Sequence, residues 1–567
     1  MDLPRRGWLA ALSFAILAAC GGGGGGSDGG KSTQQSGPPP TQAEAARFLT
    51  QASFGPTTSS IGAVVGSGYS GWLNAQFTKP QHLHQAYVDQ IAAGLATGVS
   101  LSQNQFFESF WQQATSGDDA LRQRVAFALS EIFVVSFDGD LGSQIRGVAS
   151  YYDMLGRDAF GNFRTLLEDV AKHPMMGIYL SHMRNQKEDG KGRVPDENFA
   201  REVMQLFTIG LYTLNPDGSQ QLVDGKPVET YTNDDVSGLA KVLTGWSWAG
   251  PDKTDARFWG SSTGAFADRD VTPMQAYPQF HSVSEKRFLG LTLPAQSTAD
   301  ADADLKAALD QLFNHPNVGP FFGRQLIQRL VMSTPSPAYV QRVAAAFADN
   351  GQGVRGDMRT VLRAVLLDAE ARDASAAAGD TAGKLREPIL RLANWLRAFN
   401  AGSASGRFLI GNTDSAGSSL GQSPMRSSSV FNFFRPGYTP PGTSFATLSL
   451  VAPELQITNE TSVAGYLNLM KDVIERGIGT ATNNVRDVQP DYSAEIALAD
   501  TPDKLVDRVN LLLVAGNLAA DTRQTIIDAV TAVTIPTDAT KADTARKNRV
   551  RLAIFLTMAS SDYLAQK

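Results

Sequence analysis

Cysteine is almost absent: the 567 residues include one, Cys20. A disulfide within the chain is therefore impossible, and a metal site built on several cysteines is excluded. Long apolar runs are missing beyond the N-terminus. The nearest, Leu511 to Ala520, is broken by Asn517 and falls far short of the roughly 20 residues that a bilayer requires. Excess charge of one sign is lacking too, with 50 basic against 56 acidic residues and a net charge of −6. That mild acidity, with no basic stripe to overrule it, argues against a nucleic-acid partner. There is no H-E-x-x-H pair, no phosphate-binding P-loop and no dinucleotide fingerprint. Gly417-Ser418-Ser419-Leu420-Gly421 spells G-x-S-x-G, but no apolar strand leads into it and no helical pattern follows. It reads as a Ser/Gly loop rather than a nucleophile elbow.

What is present begins at the N-terminus. Arg5 and Arg6 precede a run from Trp8 to Ala19 that is apolar except for Ser13, the proportions of a signal-peptide core. It ends in Leu17-Ala18-Ala19-Cys20, a match to the lipobox of bacterial lipoproteins. The expectation is a signal peptide over residues 1–19, with Cys20 lipidated as the new N-terminus. One acyl chain holds a membrane only marginally, so stable anchoring needs the several chains that lipoprotein maturation attaches. Gly21, rather than Asp, follows the cysteine, which favours the outer membrane if the host has one. The Arg5-Arg6 pair also resembles a twin-arginine signal, although an ordinary Sec signal is the preferred reading. Residues 20–40 then form a tether. Its run GGGGGGSDGGKSTQQSGPPP has no core-forming residue and would reach roughly 25 Å root-mean-square as a flexible chain.

From Thr41 to Lys567 helical periodicity dominates. It predicts helices over Glu44 to Phe54, Asp118 to Val135, Asp196 to Ile209, Asn233 to Leu243 and Leu305 to Phe313. Further helices are predicted over Asn317 to Val331, Asp357 to Leu367, Leu385 to Phe399, Thr461 to Arg476, Pro502 to Leu513 and Ala545 to Leu556. Asp196 and Asp357 read as N-caps, Gly210 and Gly477 as stops, and Pro174 and Pro316 as first-turn prolines. Two Asp-Gly turns, at 217–218 and 224–225, separate short apolar runs between about 211 and 231, which predicts a small hairpin or meander. Residues 400–424 are rich in Gly and Ser and read as a long loop. The expected fold class is mainly α: one large multi-helix domain with a small β insertion.

Several blocks together resemble the bacterial family called domain of unknown function 1800, over nearly the whole mature chain. Its opening block corresponds to Arg47-Phe48-Leu49-Thr50-Gln51-Ala52-Ser53-Phe54-Gly55-Pro56. The longest match is Pro195-Asp196-Glu197-Asn198-Phe199-Ala200-Arg201-Glu202-Val203-Met204-Gln205-Leu206-Phe207-Thr208-Ile209-Gly210. Tyr231-Thr232-Asn233-Asp234-Asp235-Val236, Leu243-Thr244-Gly245-Trp246, Phe280-His281, His315-Pro316 and Leu420-Gly421-Gln422-Ser423-Pro424 follow in the family's order. The family's common short form carries Phe-Trp-x-x-His-Phe, whereas Phe110-Trp111-Gln112-Gln113-Ala114-Thr115 has no histidine, so a mechanism resting on it would not transfer. The resemblance implies an exported bacterial protein, often encoded beside a second secreted protein related to sulfatases and alkaline phosphatases. It implies no settled activity, cofactor or catalytic residue.

Among candidate residues, Glu202 leads. On a regular helix Asn198, Arg201, Glu202 and Gln205 form a polar stripe beside the apolar face. The plain reading is a solvated face with a Glu197–Arg201 pair worth roughly 0.2–0.5 kcal/mol. The functional reading makes Glu202 a general base or metal ligand, with Asn198 and Arg201 orienting the ligand. Asp234 and Asp235 suit a helix first turn, yet two carboxylates could also be half of a divalent-cation site. His281, in a loop with Tyr277 and Phe280, could complete it or be structural. His173 and His315 read as capping or packing residues, and His82 and His84 as surface decoration. Two functions remain open: a binding or assembly factor working with the co-encoded secreted protein, or a hydrolase using Glu202, Asp234 or Asp235 and His281, with or without a divalent cation. The second requires those side chains to converge.

Overall fold

Helix starts follow the polar punctuation of the chain. The computed structural model describes residues 38–567, apart from 262–265, 378 and 380. Cys20, the signal segment and most of the tether lie outside the described residues. The first described helix, Gln42–Ala52, is closed by a capping box. Glu44 N–H donates to Thr41 Oγ1 at 3.2 Å, and Thr41 N–H donates to the Glu44 carboxylate at 2.8 Å. Such reciprocal bonds satisfy two otherwise orphaned donors. Asp357 caps Met358–Leu366, and His173 Nδ1 caps the short helix that begins with Pro174. Asp196 Oδ1 accepts the Asn198 N–H at 2.9 Å. Gly210 and Gly477 end their segments with φ of 71° and 77°, a conformation that costs a glycine little.

These helices bury a continuous apolar core that runs from Ala45 to Tyr563. Gln42–Ala52 packs on Pro502–Val514, so the two ends of the described chain meet. The helix Pro388–Ala398 lies deepest, with every residue buried, between Gln103–Ser116 and Pro502–Val514. Its Arg397 donates to the carbonyls of Gly55, Ala114 and Thr115 at 2.8–3.2 Å, as a buried guanidinium must. The fold is mainly α with small two- and three-stranded sheets. No helix among the described residues is long and apolar enough to cross a membrane.

The small β insertion is where the turns place it. Leu222–Val223 pairs antiparallel with Lys226–Pro227 across Asp224 and Gly225, both at positive φ (51° and 75°), the geometry of a tight hairpin. Bridges from Tyr212 to Glu229 and Leu214 to Gln220 extend it. A second hairpin, Ile478–Thr482 with Val485–Gln489, was not expected. It turns on Asn483 and Asn484, again at positive φ. Gly402–Ser403 adds a strand to it, so the segment 400–424 starts in a sheet. The Asp487 carboxylate then pins that segment by accepting from Ser403 Oγ, Ser405 N–H and Leu409 N–H at 2.8–2.9 Å.

One predicted helix departs from regular geometry. Asp196 to Ile209 divides into an α-helix, Asn198–Glu202, and a π-helical segment, Val203–Thr208. The Thr208 hydroxyl donates to the Val203 carbonyl five residues back, which favours the wider turn. π-turns are rare and concentrate at functional sites.

Candidate functional site

One carboxylate turns inward with the apolar face of this helix. Phe199, Ala200, Val203, Met204 and Phe207 are buried, as the apolar pattern requires, but so is Glu202, which leaves the solvated stripe. Its Oε2 has no hydrogen-bond partner. Burial raises its pKa above the ordinary glutamate value, with the Arg201 charge pulling the other way. Around it, Tyr231 OH donates to Gln205 Oε1 at 2.9 Å. Arg201 Nη2 pairs with Glu197 Oε2 at 3.3 Å, and Ser237 Oγ donates to Glu197 Oε1 at 2.6 Å. Asn198 Nδ2 reaches Ser181 Oγ at 3.4 Å. Arg201 and Asn198 both stand at the surface, each with a partner on the protein.

The remaining sequence candidates sit elsewhere. Asp234 is exposed in the first turn of Asn233–Val242. Asp235 closes a capping box with Thr232 and also accepts the Leu289 N–H at 2.7 Å; those bonds hold its carboxyl below the usual aspartate range against the opposing effect of burial. His281 is fully buried. Its Nδ1 lies 2.8 Å from the Thr244 carbonyl and its Nε2 2.9 Å from Asp304 Oδ2. Lys286 Nζ meets the same carboxylate oxygen at 2.8 Å, and Gln296 Nε2 donates to Oδ1 at 2.8 Å. His281 therefore belongs to a closed His–Asp–Lys knot.

Among the described residues, no three of Glu202, Asp234, Asp235 and His281 bring ligand atoms within 4.8 Å of one another. One group that does so is His82, Asp118 and Asp119. Its carboxylates are already engaged, Asp118 by Lys79 at 2.5 Å and Asp119 by the His82 N–H and Gln123 Nε2 at 3.0–3.1 Å. His82 is exposed as expected. His84 corrects the surface reading: it is 1 % exposed and bonded to Ser109 Oγ at 2.8 Å and Gln123 Oε1 at 3.0 Å. A polar histidine can enter a core once both ring nitrogens find partners.

Sequence reasoning missed the feature that costs most to bury. Arg124, Glu131, Arg329, Lys384, Glu387 and Glu454 are each at most 3 % exposed and form one ionic centre. Arg124 Nη2 donates to the Arg329 carbonyl at 2.6 Å, and Lys384 Nζ donates to the same oxygen at 2.9 Å. Lys384 also pairs with Glu454 at 3.0 Å. Arg329 donates to the Glu131 carbonyl at 3.3 Å, stands 3.7 Å from its carboxylate and lies over the Phe434 ring. Asn432 Nδ2 donates to Glu131 Oε1 at 3.2 Å.

Glu131 and Glu387 lie close enough for each to act on the other's titration. Burial and the facing Glu387 charge push Glu131 up to about 8. Burial also works to raise Glu387, but Lys384, Arg124 and the neighbouring Glu131 carry it below the ordinary range. At neutral pH three cations therefore face two carboxylates and one carboxylic acid. The arrangement ties together the end of Ala120–Ser130, the helix Val318–Leu330, the start of Pro388–Ala398 and the irregular segment that carries Asn432. The sequence signal was a charge inside an apolar run: Glu131, with Ser130, interrupts Val125 to Val135, and Arg124 precedes it.

A large helical body with minor β insertions, closed around a buried ionic centre, defines the class. The chain belongs to the family described as protein of unknown function (DUF1800), which matches over residues 47–565. Neither the curated proteins nor the solved structures hold a match.

Proposed function

We propose that this protein is an exported, lipid-anchored cell-envelope factor that binds or assembles with a partner, the co-encoded secreted protein implied by the family resemblance. The observation that carries the reading is the apolar tip of the β insertion. Leu222 and Val223 are 58 % and 63 % exposed, with Leu211 and Tyr212 at the base of the same insertion also exposed. As neighbours in one strand, Leu222 and Val223 face opposite sides of the hairpin, so the tip offers an apolar contact on either face to a partner that covers it. The anchoring half of the proposal rests on Leu17-Ala18-Ala19-Cys20 and the tether behind it. Radiolabelled palmitate should enter the parent and not Cys20→Ala, and the variant should leave the membrane fraction. The partner should co-purify with the parent and be lost with Leu222→Ser/Val223→Ser. Retention by that double variant would sink the docking reading.

A second reading, an extracytoplasmic hydrolase centred on Glu202, is favoured by its unpartnered carboxylate oxygen beside a π-turn. A desolvated carboxylate with a raised pKa suits a general base or a ligand for a divalent cation. Near-stoichiometric metal in the parent, lost in a folded Glu202→Ala variant, would support it. Metal absent from both proteins would remove its metal-dependent form.

A further inference from the structure

The first described helix, the strand Lys384–Leu385 with Arg386 behind it, and the segment Ser561–Lys567 enclose a surface cleft of about 380 Å³. Two guanidiniums form its floor. Arg47 and Arg386 are 7 % and 4 % exposed. Arg47 uses Nη1 on the carbonyls of Arg372 and Asp373 at 2.9 and 3.4 Å. Arg386 uses Nη1 on Asn394 Oδ1 and the Leu513 carbonyl, both at 3.1 Å, and lies over the Tyr563 ring. The Nε atoms of both are buried without a hydrogen-bond partner. Neither guanidinium has a carboxylate in ion-pair contact among the described residues.

The surroundings carry charge of both signs, with Glu44 and Asp373 acting on Arg47 without contacting its guanidinium. Behind Arg47, the guanidinium of Arg372 lies over Phe48 and Tyr69 with Nε and Nη2 unpartnered. Burial lowers the pKa of Arg47, and burial with the Arg47 charge brings Arg372 down to about 10. Lys567 adds a third cation at the cleft wall. The acidic side chain there, Asp562, is already accepting the Ala519 N–H at 2.9 Å. Buried cations without counter-ions are costly, and an incoming anion relieves that cost. With Nη1 used on protein oxygens and Nε out of a ligand's reach, each guanidinium keeps Nη2 for an incoming carboxylate or phosphate oxygen. Thr50 and Ser561 also line the cleft; the Thr50 hydroxyl donates to the Ala46 carbonyl at 3.0 Å and can still accept from a sugar hydroxyl, and Ser561 can donate to one. The volume falls at the small end of small-molecule sites.

We propose that the Arg47–Arg386–Lys567 cleft binds an anionic saccharide, its carboxylate or phosphate seated on the two guanidiniums. This deepens the reading of the chain as a binding factor by giving it an envelope-polymer ligand, and the cleft is separate from the hairpin tip. Anion recognition here does not require lipid at Cys20.

The test is calorimetric titration of the full-length protein in mild detergent at low salt. Galacturonate and glucose 1-phosphate serve as probes, with inorganic phosphate and neutral galactose beside them. The expected result is saturable binding of one charged sugar with Kd in the range of about 0.1–1 mM and no binding of galactose. Lys567→Glu should weaken it by about 10-fold, and Asp562→Asn, which keeps the acceptor for Ala519, should strengthen it by about 3-fold. Both substitutions are outside the core, and circular dichroism checks that each variant is folded. A preference for galacturonate marks a uronic acid as the ligand, and a preference for glucose 1-phosphate marks a sugar phosphate. Inorganic phosphate binding as tightly as the sugar phosphate, with galacturonate silent, would overturn the saccharide assignment. Absence of binding by either charged probe, or binding indifferent to both variants, would overturn the site. Loss of the partner in Leu222→Ser/Val223→Ser with sugar binding intact separates the two proposals.

Discussion

Gln422 grips the start of the buried helix Pro388–Ala398 from outside it. Its Nε2 donates to the Glu387 carboxylate at 2.8 Å, and its Oε1 accepts the Ile389 N–H at 3.1 Å. A loop glutamine thus does the work of an N-cap while steadying the charge that precedes the helix. Gln422→Ala removes both bonds and leaves a buried carboxylate short of a donor, a loss of about 2–4 kcal/mol. Ser418→Ala, from the exposed part of the same loop, should change stability by less than about 0.5 kcal/mol. Denaturant midpoints of the two variants decide the matter, and equal midpoints would contradict the capping role.

Glu131 gives the ionic centre a pH dependence of definite sign. Its folded pKa, about 8, lies above the roughly 4.3 of an unfolded glutamate. The folded state therefore holds a proton that the unfolded state releases, and this group's stabilising contribution is complete below about pH 4.3 and lost as pH rises through about 8. His173 and His182 oppose the trend, because burial lowers them to about 3 and about 4; their contribution is present above about pH 6.5 and lost on acidification. The difference between parent and Glu131→Gln isolates the glutamate, since the amide mimics the protonated acid. Thermal midpoints should coincide near pH 4.5 and diverge in favour of the variant towards pH 8. Parallel curves would show that Glu131 is ionised throughout.

The helical body was legible in the sequence because its signals are local. Asp357, Gly210 and Gly477 each act within a few residues of themselves, and the Asp224-Gly225 turn did the same for the hairpin. The ionic centre was hidden because its partners are remote: 205 residues separate Arg124 from Arg329 and 301 separate Asn432 from Glu131. Glu202 was singled out, but its burial was not foreseen, since it sits in the regular turn Asn198–Glu202 and what covers it comes from elsewhere in the fold. His281 illustrates the same limit. As a loop histidine it was ambiguous, and only the fold shows Asp304, 23 residues on, against its ring.

That His281–Asp304–Lys286 knot supports a prediction of its own. Lys286 is 0 % exposed and Asp304 is its counter-ion at 2.8 Å. Asp304→Asn strands a buried ammonium, which typically costs about 3–5 kcal/mol. His281→Gln leaves the Lys286–Asp304 pair in place and should cost less, about 1–2 kcal/mol. Urea midpoints at pH 7 should therefore fall further for Asp304→Asn than for His281→Gln. The reverse order would mean that the imidazole, rather than the lysine, is what the carboxylate stabilises.

Glu202 separates the two functional readings most cleanly because its structural and chemical roles predict opposite responses to one atom's change. With Oε2 unpartnered and burial raising its pKa, the ionised carboxylate is a net cost to the fold at neutral pH. Glu202→Gln removes that charge at nearly constant volume and should raise stability at pH 8. The gain should fade towards pH 4, where the parent is itself protonated. A binding factor would keep its partner in this variant, because the exposed Leu222 and Val223 are untouched. A hydrolase built on Glu202 would lose its turnover together with any bound cation, while still showing the stability gain. Pairing the stability curve with co-purification and metal content thus distinguishes a strained site retained for chemistry from a buried acid that only shapes the π-turn. Partner retention with metal content and turnover both unchanged assigns Glu202 to the fold.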